Sequence, residues 1–232
     1  MFPEKKFSEM VAILSGDPHI LSDTHFFHDR VFSDFEPVRK TFAPSREEFD
    51  EKMAEVMCGS GPILHLGDVA INSRKPEVND ERIRWVNRRV QSCPRILVAG
   101  NHDRENLDLY EKTGWHVVSF GIDLTTPVPT LYKDAPPFLV WNVGKTKVFF
   151  SHEPVLVGRE RTDYDSEIME TLGRWFTRMR GKMNVHGHTH STIIPHPLFR
   201  NVSVEAQGFL PSRVSRIVGS FAPLSKKMPN LS

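Results

Sequence analysis

Two cysteines in 232 residues, almost no net charge and no long apolar stretch set the first limits on this chain. Cys58 and Cys93 are far apart and match neither a zinc nor a redox spacing. A disulfide scaffold is therefore excluded, and a reducing, cytoplasmic setting is expected. Thirty basic residues against 29 acidic ones leave a charge of +1. That excess is too small for a protein that coats polyanions by bulk charge, and leaves only a local patch for nucleic acid. No apolar run approaches the roughly 20 residues that span a bilayer, so no membrane association is expected. Residues 1–10 are charged and lack an apolar h-region, so no signal peptide is expected. Internal repeats and low-complexity tracts are absent as well. What is abundant is histidine: there are eleven.

Short apolar runs alternate with helical patterns, which predicts an α/β layer fold. One domain over 1–232 is expected, with its core over about 11–218 and a flexible tail over 219–232. Strands are predicted at Pro18–Ser22, Ile63–Leu66 and Arg95–Ala99, then at Phe138–Val143, Lys147–Ser151, Met183–His188, Asn201–Ala206 and Arg213–Val218. Ser45 followed by Glu48 reads as a capping box, and Phe49, Met53, Val56 and Met57 form one helical stripe behind it. Further helices are predicted over Pro76–Val90 and from about Asp165 to Met179. Four prolines between Thr125 and Pro137 predict a long loop.

The chemistry gathers where strands end. Leu21-Ser22-Asp23-Thr24-His25, Leu66-Gly67-Asp68, Gly100-Asn101-His102-Asp103, Ser151-His152 and Gly187-His188-Thr189-His190 each follow an apolar run. In an open α/β sheet the carboxyl ends of parallel strands line one crevice, so these five segments can converge. Imidazole and carboxylate without thiolate suit manganese, iron, zinc or nickel better than calcium. Seven donors are too many for one tetrahedral ion and suit two, in a site whose ions lie roughly 3.5–4 Å apart and clamp a phosphoryl group. Two divalent ions outweigh Asp23, Asp68 and one hydroxide, leaving positive charge for an anionic phosphate ester.

Those five blocks, in that order over residues 22–190, resemble the calcineurin-like metallophosphoesterase superfamily. Ser22-Asp23-Thr24-His25-Phe26, with Asn201-Val202-Ser203-Val204-Glu205, is similar to a small bacterial and phage branch of it. The resemblance implies a four-layer α/β/β/α sandwich, two mixed sheets flanked by helices. It implies that Asp23, His25 and His190 hold one metal, that Asn101, His152 and His188 hold the other, and that Asp68 bridges them. It implies hydrolysis of a phosphomonoester or phosphodiester by metal-activated hydroxide, with His102 contacting phosphate beside Asn101 and protonating the leaving oxygen. Asp103 either orients His102 or is a solvated turn carboxylate. Phe27 and Glu205 depart from the branch pattern at positions that are not ligands.

Some residues carry two readings. His28 either contacts substrate or belongs to a surface loop. Arg159 and Arg161 follow His152 closely enough to reach a substrate phosphate. Arg82, Arg84, Arg88 and Arg89 around Trp85 read as a solvated helix face, with a nucleic-acid surface as the alternative. A small phosphoester or nucleotide is the favoured substrate. A nuclease is the alternative, and a non-catalytic binding module with vestigial metals is the competing class.

Overall fold

The computed structural model describes residues 4–157 and 166–219. In chain order the elements are α1 (Glu4–Ser15), β1 (His19–Leu21), α2 (Arg39–Phe42), α3 (Arg46–Ser60), β2 (Ile63–His65), α4 (Pro76–Val90) and β3 (Arg95–Val98). Then come α5 (Leu107–Lys112), β4 (His116–Val118), β5 (Gly121–Asp123), β6 (Thr130–Tyr132), β7 (Phe138–Val143) and β8 (Thr146–Phe150). The described chain closes with α6 (Glu167–Arg178), β9 (Met183–His186), β10 (Phe199–Asn201), β11 (Ser212–Arg213) and α7 (Val214–Gly219).

Two mixed sheets result, in the orders β11-β1-β2-β3-β4 and β10-β9-β8-β7-β5-β6. Strands β1 to β4 run parallel, and β11 closes that sheet antiparallel. Ile20, Leu64, Leu66, Ile96 and Val98 face Leu139, Val148, Phe150, Met183 and Val185 across the inter-sheet core. The outer face of the first sheet, through Leu21, Ile63 and Leu97, packs on Met53, Met57, Ile83 and Val86 of α3 and α4. The outer face of the second packs Phe138, Val140 and Phe149 on Leu172 and Phe176 of α6. The architecture is thus the four-layer sandwich, helices outside and two sheets within. Burial on both faces explains why these strands read as unbroken apolar runs rather than alternating ones.

Register brings the site together. Leu21 pairs with His65 and His65 with Leu97, so the turns after β1, β2 and β3 leave the sheet at one level. Phe150 pairs with Val185 in the parallel β8–β9 pair, which sets the turns after those strands side by side.

Several elements differ from expectation. The charged N-terminus forms α1, with Met10, Ile13 and Leu14 buried in the inter-sheet core, so the core begins before residue 11. The proline-rich 125–137 stretch contains β6, paired antiparallel with β5. In place of a strand over 201–206, β10 stops at Asn201, whose side-chain amide donates to the His190 and Thr192 carbonyls and bends the chain away. In place of a strand over 213–218, α7 (Val214–Gly219) follows a two-residue strand, because Val214 and Val218 bury one side at helical spacing. Residues 220–232, most of the expected tail, lie outside the described residues.

Candidate metal centre

Asp23 follows β1 in a tight turn, and its two carboxylate oxygens have different surroundings. Oδ2 accepts the His188 N–H and the Ser203 hydroxyl, both at 2.9 Å. Oδ1 is buried without a hydrogen-bond partner. His25 is buried with both ring nitrogens unpartnered, and its Nε2 lies 3.8 Å from Asp23 Oδ1 and 3.5 Å from Asp68 Oδ2. Burial, helped by the neighbouring His190 and Arg39, holds the His25 ring well below the usual imidazole range and therefore neutral. His190 stacks on His25 with ring centres 5.0 Å apart.

A second group sits on the other side of Asp68. Its Oδ2 is 3.5 Å from His152 Nε2, the same separation as from His25. The Leu66 carbonyl accepts a hydrogen bond from His152 Nδ1 at 2.8 Å, which leaves Nε2 as the bare nitrogen of a neutral ring. That Nε2 meets Asn101 Oδ1 at 3.0 Å and His188 Nδ1 at 3.2 Å. In the neutral ring that Nε2 lone pair faces the Asn101 oxygen, a place that suits a proton or a metal cation. Burial pushes Asp68 up to about 6, with Asp103 and Asp23 adding to it and His152 opposing. His152 is raised: burial lowers it, but Asp68 and Asp23 more than compensate.

These atoms fit divalent cations. Ligand atoms of Asp23, His25 and His190 all lie within 4.8 Å of one another, as do those of Asp23, Asp68 and His152. Imidazoles, buried carboxylates and an amide oxygen form a borderline-hard donor set. All seven expected donors, Asp23, His25, Asp68, Asn101, His152, His188 and His190, are brought into this one cluster.

The backbone here is held in sparsely populated conformations. Asp23, His25, Asp68, His188 and His190 have φ between 47° and 66°, so five of the seven donors are left-handed without being glycine. Such strain persists only where surrounding contacts over-determine it, and it concentrates at functional sites. Gly67 and Gly100 make the close approach feasible: a Cβ on Gly67 would fall 2.5 Å from Gly100 N, and one on Gly100 would collide with Asp68 Oδ1.

His102 lies at the mouth, with its side chain about a third exposed. Its backbone N–H donates to Asp68 Oδ1 at 2.9 Å, and its Nε2 is 3.9 Å from Asp68 Oδ2. Asp103 is neither solvated nor set against the His102 ring by any hydrogen bond. It is fully buried and accepts the N–H groups of Asp68 at 2.7 Å, Gly100 at 2.9 Å and Val69 at 3.1 Å, together with the Tyr110 hydroxyl. It builds the turn that carries Asp68. His28 accepts the Val31 N–H on Nδ1 at 3.2 Å, with its ring centre 5.3 Å from His25 and 6.0 Å from His102. Burial, with His102 and Arg39 nearby, lowers His28 to about 4. His25, His28 and His102 form a third group of nearby donors. Arg159 and Arg161 lie outside the described residues. On α4, Arg84 pairs with Asp80 and Arg89 with Glu51, as on a solvated face.

Sequence reasoning missed Ser203, Arg39 and Glu205 as partners of the donors. In the sequence only Ser203 and Glu205, inside the 201–205 block, offered a signal; Arg39 resembles any surface arginine.

A model of the calcineurin-like phosphoesterases matches residues 19–192, a span that holds every one of these donors. The chain belongs to the calcineurin-like phosphoesterase family. It is 31% identical over 208 residues to the Gene 66 protein of Mycobacterium phage L5, covering 83% of this chain and 88% of that protein. Its fold is similar to that of AQ665 from Aquifex aeolicus, a protein of unknown function, with a TM-score of 0.58, 18% identity, and 88% of this chain and 98% of that one covered. The chain is a metal-dependent phosphoester hydrolase, and its His/Asp clusters point to a dinuclear site. Among the described residues no helix is long and apolar enough to cross a membrane.

Proposed function

We propose that the enzyme hydrolyses a small phosphomonoester or phosphodiester, a nucleotide being the favoured class, in the cytoplasm and with manganese as the favoured ion. Asp23, His25 and His190 would hold one cation, Asn101, His152 and His188 the other, and Asp68 both; iron, zinc and nickel suit the same donors. The observation that carries this reading is the convergence of unpartnered lone pairs. Asp23 Oδ1 and His25 Nε2 have no hydrogen bond, while His152 Nε2 faces Asn101 Oδ1. Bound cations supply Lewis-acid polarisation of the phosphoryl group and an activated water at neutral pH.

The chain's own residues do the rest. Asp68 orients His102 by accepting its backbone N–H. From the mouth of the site the His102 ring contacts a phosphoryl oxygen and delivers a proton to the leaving oxygen, as a general acid. His28 has Nδ1 occupied as an acceptor, so its proton sits on Nε2 and is available to a second phosphoryl oxygen. Asn101, the chain neighbour of His102, contacts substrate as well. Asp103 acts only through the Asp68 turn.

A panel of phosphomonoesters, cyclic phosphodiesters and dinucleotides, assayed with Mn2+, tests the reading. Turnover of at least one class, lost on chelation, is expected. With two ions bound, failure to cleave any panel member or any nucleic acid would overturn it. Cleavage of nucleic acid alone would replace it with a nuclease.

A further inference from the structure

Behind His190 lies a buried ion pair. Glu205 Oε1 is 3.5 Å from His190 Nδ1. The same oxygen accepts the Arg39 Nε–H at 2.6 Å and lies 2.5 Å from Arg39 Nη2. The remaining guanidinium donors end on backbone: Nη1 donates to the Thr24 carbonyl at 2.9 Å and Nη2 to the Asp23 carbonyl at 2.6 Å. Both side chains are fully buried, and the guanidinium lies 4.6 Å from the centre of the Phe49 ring. One partner comes from the one-turn helix α2 and the other from the bend after β10, so the pair ties distant parts of the chain together.

Stability alone does not explain such a pair. Desolvating two charges offsets their mutual attraction, and apolar side chains of the same volume pack about as well. The contacts suggest another role. Every arm of Arg39 ends on the turn that presents Asp23 and His25 or on Glu205, which faces His190. Asp23 and His25 hold strained left-handed backbone angles and need an external grip. A carboxylate behind a ligating histidine favours a proton on its near nitrogen and turns the far nitrogen toward the metal. On the other side of Asp68, the hydrogen bonds that join His152 to Leu66, Asn101 and His188 involve neither Arg39 nor Glu205.

We propose that Arg39 and Glu205 form a buried clasp that positions Asp23, His25 and His190 for the first cation and leaves the second cation's donors untouched, an inference that rests on the two-cation reading above. Arg39 and Glu205 are positioning residues: neither touches substrate. Calorimetric titration of the full chain with Mn2+, after removal of metal by a chelator, tests it. The unaltered chain should bind two ions. Glu205→Gln, which keeps volume and a hydrogen-bond acceptor, and Arg39→Lys, which loses the fork, should each weaken one binding event about 10–100-fold, the range for residues behind metal ligands, and leave the other within about threefold. Circular dichroism confirms folding, and if Arg39→Lys does not fold, Glu205→Gln decides. Two events unchanged in the folded variants, or two weakened alike, would overturn the clasp and leave the metal pair standing. Fewer than two ions on the unaltered chain would remove the metal pair, and the clasp with it.

Discussion

At the scale of the residue, neighbouring carboxylates and histidines do different work because their partners differ. Asp23 has one oxygen satisfied and one bare, Asp68 faces both histidine groups, and Asp103 is consumed by backbone N–H groups. His102→Ala should lower kcat about 10²–10⁴-fold for a poor leaving group such as an alkyl phosphate. The loss should be much smaller for p-nitrophenyl phosphate, with Mn2+ affinity unchanged; an equal loss on both substrates removes His102 as the acid. Asp68→Asn should move stability and function in opposite directions. Without metal, it relieves a buried carboxylate crowded by Asp103 and Asp23, so unfolding of the chelated protein should shift upward by on the order of 1 kcal/mol. Uptake of the ion pair should be lost, as seen by calorimetry.

At the scale of the element, the turns after β2 and β3 are the most demanding parts of the chain. Gly100→Ala should abolish metal uptake while far-UV circular dichroism stays unchanged, because the new Cβ would collide with Asp68 Oδ1 and the Asp68 backbone N, in the turn that carries the donor rather than in any helix or strand. Helix α3 holds a different titration. Asp50 Oδ2 accepts the Phe27 N–H and an Arg46 N–H, while Oδ1 is buried without a partner, and burial pushes the carboxyl up to about 6. The folded state therefore binds this proton more tightly than the unfolded chain does. Stability from this group is fully present below about pH 4 and is lost as pH rises through about 6. On moving from pH 7 to pH 4 the unaltered chain should gain up to about 3 kcal/mol, measured by urea unfolding, that Asp50→Asn does not gain. Equal pH dependence of the two chains contradicts this assignment. Elements with dense apolar patterns, such as β2, β3, β8 and α4, were legible from sequence. Helix α1 carries an equally good pattern in Phe7, Met10, Val11 and Leu14, but its charges mimic a frayed terminus. The mixture of valine and arginine in α7 suits either period, and only packing against the inter-sheet core selects the helix.

At the scale of the whole molecule, the donors are a load on stability until they are filled. Buried carboxylates, bare imidazoles and left-handed backbone all favour the folded chain less without cations than with them. Mn2+ held at a hundredfold its Kd should raise unfolding stability by at least about 2.7 kcal/mol, an effect that a chelator reverses in a thermal melt. A melting temperature indifferent to metal would show that the cluster holds no ion. The two sheets matter to this linkage because each contributes part of the donor set: the turns after β1, β2 and β3 from one, those after β8 and β9 from the other.

The amino-acid sequence by itself determined the layer class, the family and the candidate donors, because strand ends rich in Asp, Asn and His are local features that survive without coordinates. Only the tertiary structure decided which oxygen or nitrogen of each donor is free, that Asp103 serves the Asp68 turn, and that Arg39 and Glu205 stand behind the first group. Those facts are relations between segments as far apart as Arg39 and Glu205. Strand register and sheet packing, not sequence neighbourhood, bring such segments into contact.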